Sequence, residues 1–246
     1  MVEKHNIGKT LHPIYVSTTI IKFGHCSSAT GFFFSENNET YLVTNKHVID
    51  NCITSDIDEI KIMLHTNSYE LTDNEEIAVK LYDGAGNKKW LEHETQEVDV
   101  ILIPVKLESK HVYAPLSRDF IAAKEYQTLF EKILVVGYPY GWYDVRNNLP
   151  IIRVGNLSSP FGIGFNGEKF MIGDVITHPG MSGAPVIMQL VNPVTKENKQ
   201  LFQTRYVLIG IYSGQSRINH IDEKERPQLI TIWFAELIFE ILSNLH

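Results

Sequence analysis

Short β-rich runs separated by polar turns occupy this chain almost from end to end, and they constrain its fold more than any other feature. Ile14 to Phe23, Gly31 to Ser35, Tyr41 to Val48, Glu59 to Leu64, Ile77 to Tyr82 and Val98 to Pro104 are rich in Val, Ile, Tyr, Phe and Thr. Such residues suit a pleated, half-buried surface. A second set follows at Lys132 to Tyr138, Leu149 to Ser159, Lys169 to Thr177, Pro185 to Val191, Thr204 to Tyr212 and Leu229 to Trp233. Glu36-Asn37-Asn38-Glu39 reads as a hairpin turn, Asp83-Gly84-Ala85-Gly86-Asn87 as another turn, and Asn192 to Lys199 as a polar hairpin tip. The spacing changes only at the end. Leu237, Ile238, Ile241, Leu242 and Leu245 recur at three and four residues, which predicts an amphipathic helix over about 234–245. The pattern is that of an all-β protein with one terminal helix.

Bulk properties narrow the function. The chain has 246 residues, enough for one domain or two small ones and for a sizeable core. A net charge of -7 argues against a nucleic-acid surface, which needs clustered Lys and Arg. No apolar run approaches 18 residues, so no membrane-crossing helix is expected. Nor does the N-terminal stretch have the apolar core of a signal peptide, and a cytoplasmic location is expected. Cys26 and Cys52 are the only cysteines. They flank His47, so a bridge across it is one reading. Two reduced, partly buried thiols is the reading that fits so low a count. His93-Glu94-Thr95-Gln96-Glu97 lacks the two-histidine zinc spacing, and Gly8-Lys9-Thr10 lacks the upstream glycine of a phosphate loop. Neither a metal nor a cofactor is expected.

Three residues stand out in the order His47, Asp99, Ser182. His47 closes the run from Tyr41, Asp99 opens Asp99-Val100-Ile101-Leu102-Ile103, and Ser182 lies in His178-Pro179-Gly180-Met181-Ser182-Gly183. A serine hydroxyl becomes a nucleophile when an imidazole takes its proton. That imidazole needs a carboxylate to fix its tautomer. His178 is too close in sequence to Ser182 to place its ring readily on the hydroxyl. Glu94 and Glu97 are alternatives to Asp99, but only Asp99 adjoins the apolar run. The order His, Asp, Ser differs from the Ser, Asp, His of α/β-hydrolases and the Asp, His, Ser of subtilisins.

These segments resemble the trypsin/chymotrypsin superfamily, and within it the bacterial HtrA-like branch. The likeness runs from about Thr30 to Ala235. Gly31-Phe32-Phe33-Phe34 and Tyr41 to Val48 are similar to the branch's glycine, strand and histidine stretch. Leu134 to Gly141 resembles its Gly-x-Pro-x-Gly turn, Ile151 to Ser158 the next strand, Asp174 to Gly183 its nucleophile segment, and Ile232 to Ala235 its last strand. The resemblance implies a chymotrypsin-like pair of six-stranded β-barrels, with residues 1–116 carrying His47 and Asp99 and residues 117–246 carrying Ser182. Residues 117–128 would link them.

It also implies a serine endopeptidase that cuts protein substrates through an acyl-enzyme. Ser182 would be the nucleophile, His47 the base and Asp99 its orienting acid, with the amides of Gly180 and Ser182 as the oxyanion hole. Ile176 would floor the specificity pocket, with Thr177 and His178 beside it. Tyr212-Ser213-Gly214 would pair with the substrate backbone, and Asp174 would make a structural hydrogen bond. Ile176 offers no charge for Lys or Arg, so a small or medium apolar residue such as Val, Ala or Leu is expected before the cut. Two departures matter. Met181 stands where the family has Asn or Asp, which predicts a resting state with an unformed oxyanion hole and an activating protein partner. No PDZ domain follows, so control by one in cis is not expected. The competing reading is a silent pseudo-protease that binds a peptide without cutting it.

Overall fold

The computed structural model describes residues 11–24, 27–54, 57–122, 131–196, 199–216 and 228–244. The first half is a seven-stranded sheet: β1 (Thr18–Phe23), β2 (Ser27–Glu36), β3 (Glu39–Thr44), β4 (Glu59–His65), β5 (Asn74–Lys80), β6 (Leu91–Glu92) and β7 (Ile101–Pro104). Its order is β5-β4-β1-β2-β3-β7-β6, all antiparallel. The second half is a closed barrel of β8 (Lys132–Gly137), β9 (Ile151–Leu157), β10 (Phe170–Asp174), β11 (Pro185–Lys196), β12 (Lys199–Gln215) and β13 (Leu229–Phe234). The chain crosses between them after Leu116, which bridges to Phe34, and before Ile121, which bridges to Leu208.

The strands read as continuous apolar runs because both faces are buried. Along β2, Phe32 and Phe34 enter the core shared by the two halves, while Phe33 enters the core of the first half alone. Tyr41 and Val43 alternate with Leu42 in the same way, and Val100 and Leu102 with Ile101 and Ile103. This is the two-residue alternation of strand side chains. The shared core also takes Val136, Ile187, Leu208 and Ile211 from the barrel.

Several expectations are corrected. The first half has seven strands rather than six, and its end strands β5 and β6 are linked through a hairpin in which Lys89 N–H donates to Leu81 O and Tyr82 bridges Lys88. Ile14–Ser17 is a short helical turn (α1), where the Thr18 hydroxyl bonds back to Ile14 O, so β1 begins four residues later than expected. Strand pairing in the β11/β12 hairpin runs on to Lys196 opposite Lys199, through the stretch read as a polar tip. The strand before His47 stops at Thr44, and a helix, α2, covers Lys46–Thr54. Its apolar residues Val48, Ile49 and Cys52 have helical spacing and face the first-half core.

Other expectations match. Asn37 and Asn38 both have positive φ, 52° and 64°, as a two-residue hairpin turn between Glu36 and Glu39 requires. Asp83 closes its turn by accepting from the N–H groups of Ala85 and Asn87. The terminal helix, α3 (Leu237–Ser243), buries Leu237, Ile238 and Ile241 in the shared core. Phe234 belongs to β13 rather than to the helix. Cys52 is fully buried with no disulfide partner among the described residues, and burial pushes its thiol up to about 11. Cys26, and so any pairing with Cys52, lies outside the described residues, as do residues 123–128 of the expected 117–128 linker.

Candidate active site

Asp99 lies just ahead of β7, opposite the end of β3, and four donors converge on it. The His47 backbone N–H donates to Oδ1 at 2.8 Å, and His47 Nδ1 lies 2.7 Å from Oδ2. The Ser213 hydroxyl donates to Oδ2 at 2.5 Å, and Asn45 Nδ2 donates to the Asp99 carbonyl at 2.7 Å. An ionised carboxylate only accepts, so the facing Nδ1 carries the ring proton. That leaves the Nε2 lone pair of neutral His47 free to accept a proton. The helical turn that corrects the expected strand makes this geometry, since it offers backbone and ring of one residue to one carboxylate. The His47 side chain is 40% exposed and that of Asp99 19%, so the ring reaches the surface while its partner is mostly covered.

Ser182 lies half-buried on the loop before β11. His178, Pro179, Gly180 and Met181 form a type II turn. Met181 N–H donates to His178 O at 3.3 Å, Pro179 sits at the second position and Gly180 at the third with φ +93°. Every carbonyl from residue 178 to 182 is bonded. Pro179 O accepts from Tyr140 N–H at 2.6 Å, Gly180 O from the Thr30 hydroxyl at 2.8 Å, Met181 O from Ala184 N–H and Ser182 O from Thr30 N–H, both at 2.9 Å. Gly183 N–H donates to Tyr212 O. Among the described residues, the N–H groups of Gly180 and Ser182 have no acceptor. Both residues are partly exposed, so these two N–H groups are open to a ligand. The C=O and N–H of a trans peptide point opposite ways, so the Gly180 N–H faces away from Tyr140.

The two halves of the site are tied together. Gly183 packs so closely on the first half that a Cβ there would lie 2.2 Å from Thr30 O and 2.3 Å from Thr44 Oγ1. Thr44 ends β3, three residues before His47. On the other side, Tyr212 exchanges backbone bonds with Gly183 and Ala184, and its neighbour Ser213 holds Asp99.

The remaining predicted residues are placed differently. Met181 is fully buried among Phe161, Met171, Val175 and Tyr212, so it needs no polar partner. Ile176 is 51% exposed rather than an enclosed floor, with its carbonyl accepting from Arg153 Nε. Thr177 and Tyr212 are buried and share a hydroxyl–hydroxyl bond of 2.8 Å, and burial pushes the Tyr212 phenol up. The His178 ring stacks on Tyr140 with centroids 5.0 Å apart. Asp174 is exposed, with no side-chain hydrogen bond among the described residues, so its expected structural bond is absent there. Ser213, expected on the substrate edge through its backbone, gives its hydroxyl to Asp99. Gly214 follows with φ +140° at a bulge in β12. Asn45, Thr30 and Tyr140 were not predicted. Their neighbours in sequence gave only a weak signal, because each hydrogen-bonds residues 39 to 152 positions away.

A family model for the trypsin-like peptidase domain matches residues 29–191. The chain belongs to the trypsin-like peptidase family. Among solved structures, this peptidase-family chain is similar to an HtrA-type protease, AlgW with a tripeptide. The identity is 18% and the TM-score 0.56, with 94% of this chain and 60% of AlgW covered. It is similar to Deg5 at 13% identity and TM-score 0.55, covering 95% and 90%. It is also similar to an inactive form of Rv3671c from M. tuberculosis at 13% identity and TM-score 0.51, covering 99% and 91%. At these identities the likeness is one of fold. No curated protein matches the sequence.

Proposed function

We propose that this chain is a serine endopeptidase. The observation that carries the reading is the His47–Asp99 pair, whose geometry puts the ring proton on Nδ1 and leaves Nε2 basic. In the reaction, Ser182 Oγ attacks the substrate carbonyl carbon while His47 takes its proton. The tetrahedral oxyanion is held by the N–H groups of Gly180 and Ser182. His47 then returns the proton to the departing amine, leaving an acyl-Ser182. Water, deprotonated by His47, releases the acid and restores the serine.

Substrate backbone would pair at Ser213, the bulge residue that the β12/β13 ladder skips between Tyr212 and Gly214. No acidic side chain stands among Ile176, Thr177, His178 and Tyr212 to choose a basic residue. A small or medium apolar residue before the cut fits that lining. The type II turn is closed in the chain alone and Met181 is sequestered in core, which supports restraint by narrow specificity over restraint by an activating partner.

Incubating the protein and its Ser182→Ala variant with a peptide library from a digested proteome, then sequencing new termini by mass spectrometry, tests this reading. Cleavage after Val, Ala or Leu by the parent alone is expected. Cleavage after Lys or Arg would overturn the specificity. Retention of peptides without any cleavage would favour a binding module.

A further inference from the structure

We infer that Thr30 is a positioning residue for the oxyanion hole, a role that rests on the serine-peptidase reading above. Thr30 is fully buried on β2, in the first half of the molecule, and every polar atom it has is engaged. Its N–H donates to Ser182 O at 2.9 Å, and its carbonyl accepts from the Thr44 hydroxyl at 2.8 Å. Its hydroxyl donates to Gly180 O at 2.8 Å and accepts from Tyr138 N–H at 3.1 Å. One residue from the histidine-bearing half thus holds the carbonyl of the nucleophile and the carbonyl of the turn glycine two residues before it.

The direction of the Gly180 N–H depends on two peptides, one on each side of the Gly180 Cα. The 179–180 peptide is held through Pro179 O by Tyr140 N–H. The 180–181 peptide is held at its oxygen by the Thr30 hydroxyl at 2.8 Å, and at its nitrogen only by the longer Met181 N–H bond to His178 O at 3.3 Å. Glycine at φ +93° has few steric walls of its own, so the turn needs this outside restraint. The hydroxyl also bonds Tyr138 N–H, two residues before Tyr140, so both restraints lead back to Thr30. Backbone contact from Thr30 to Ser182 would survive any side chain at this position. The hold on Gly180 requires a hydroxyl, which Thr and Ser supply and Ala and Val lack.

The matched pair Thr30→Ala and Thr30→Ser, differing by one oxygen, tests this with a fluorophosphonate probe. In that reaction Ser182 Oγ attacks phosphorus, fluoride leaves and His47 takes the serine proton. The developing charge on the phosphoryl oxygen needs the same two N–H groups. Thermal unfolding is read first, and the isosteric Thr30→Val replaces Thr30→Ala if the latter is unfolded at the assay temperature. Removing a whole oxyanion donor costs about 100- to 1,000-fold. A donor that is loosened rather than removed should cost roughly 10- to 100-fold in the maximal labelling rate, with the probe's half-saturation unchanged. Thr30→Ser should label close to the parent rate. Equal maximal rates for parent and Thr30→Ala would overturn the positioning role and leave the peptidase reading intact. A parent protein that the probe does not label would overturn both.

Discussion

Asp99→Asn will lower kcat by about 10⁴-fold at neutral pH while leaving the protein folded. The carboxylate accepts from His47 N–H, His47 Nδ1–H and the Ser213 hydroxyl at once. An amide has one accepting oxygen and an NH₂ group that can only donate. Once the oxygen accepts from the His47 backbone, the NH₂ faces Nδ1, which must then give up its proton and accept. The ring proton moves to Nε2, where it blocks transfer from Ser182. The loss should fall on kcat rather than KM, because substrate does not touch Asp99. Steady-state hydrolysis of a peptide found in the library screen reads both constants, and urea unfolding checks the fold. A variant within tenfold of the parent would show that the Asp99 bond to His47 does not govern the reaction.

The second large effect is at Gly183. Its φ is +87°, and an added Cβ would meet Thr30 O, Thr44 Oγ1 and the Thr44 Cα at 2.2, 2.3 and 3.0 Å. Two of these atoms are backbone in the strands of the first half and cannot swing aside. Gly183→Ala therefore combines a strained dihedral with overpacking, each costing about 1–3 kcal/mol. The total expected is roughly 3–5 kcal/mol, near the top of what single substitutions do. Because the clash pushes β11 away from β2 and β3, activity should be lost even under conditions where the variant folds. Gly84→Ala is the control, since nothing lies within 4 Å of its added Cβ. Urea midpoints for the three proteins measure the difference. A Gly183→Ala midpoint equal to that of Gly84→Ala would contradict the close packing of the two halves here.

Much of this was visible in residue order, for local reasons. The alternation Phe32-Phe33-Phe34 and the Asn37-Asn38 turn each depend on neighbours a few positions away, and both behave as pattern and turn chemistry require. What failed was also local. Val48, Ile49 and Cys52 carry helical spacing, but they follow a true strand so closely that His47 read as its end. Ile14 to Ser17 was absorbed into β1 for the same reason, although Pro13 marks a helical start. The site divides along the same line. His47, Asp99 and Ser182 announce themselves by residue type and order. Thr30 and Asn45 do not, because a buried hydroxyl or amide acquires meaning only from the atom that folding sets opposite it. Ser213 shows the difference sharply, since its place near the cleft was legible but its bond to Asp99 was not. Met181 illustrates the same dependence on packing. A departure from a familiar polar residue suggested a defective turn, whereas the barrel core accommodates the thioether and the turn closes without it.

The most direct measurement is the intact mass of the protein after a fluorophosphonate probe, with Ser182→Ala and His47→Ala treated in parallel. One adduct on the parent, mapped to Ser182 and absent from both variants, is the result predicted by a serine activated through His47 and Asp99. An unmodified parent, or an adduct that persists when Ser182 is alanine, would contradict it.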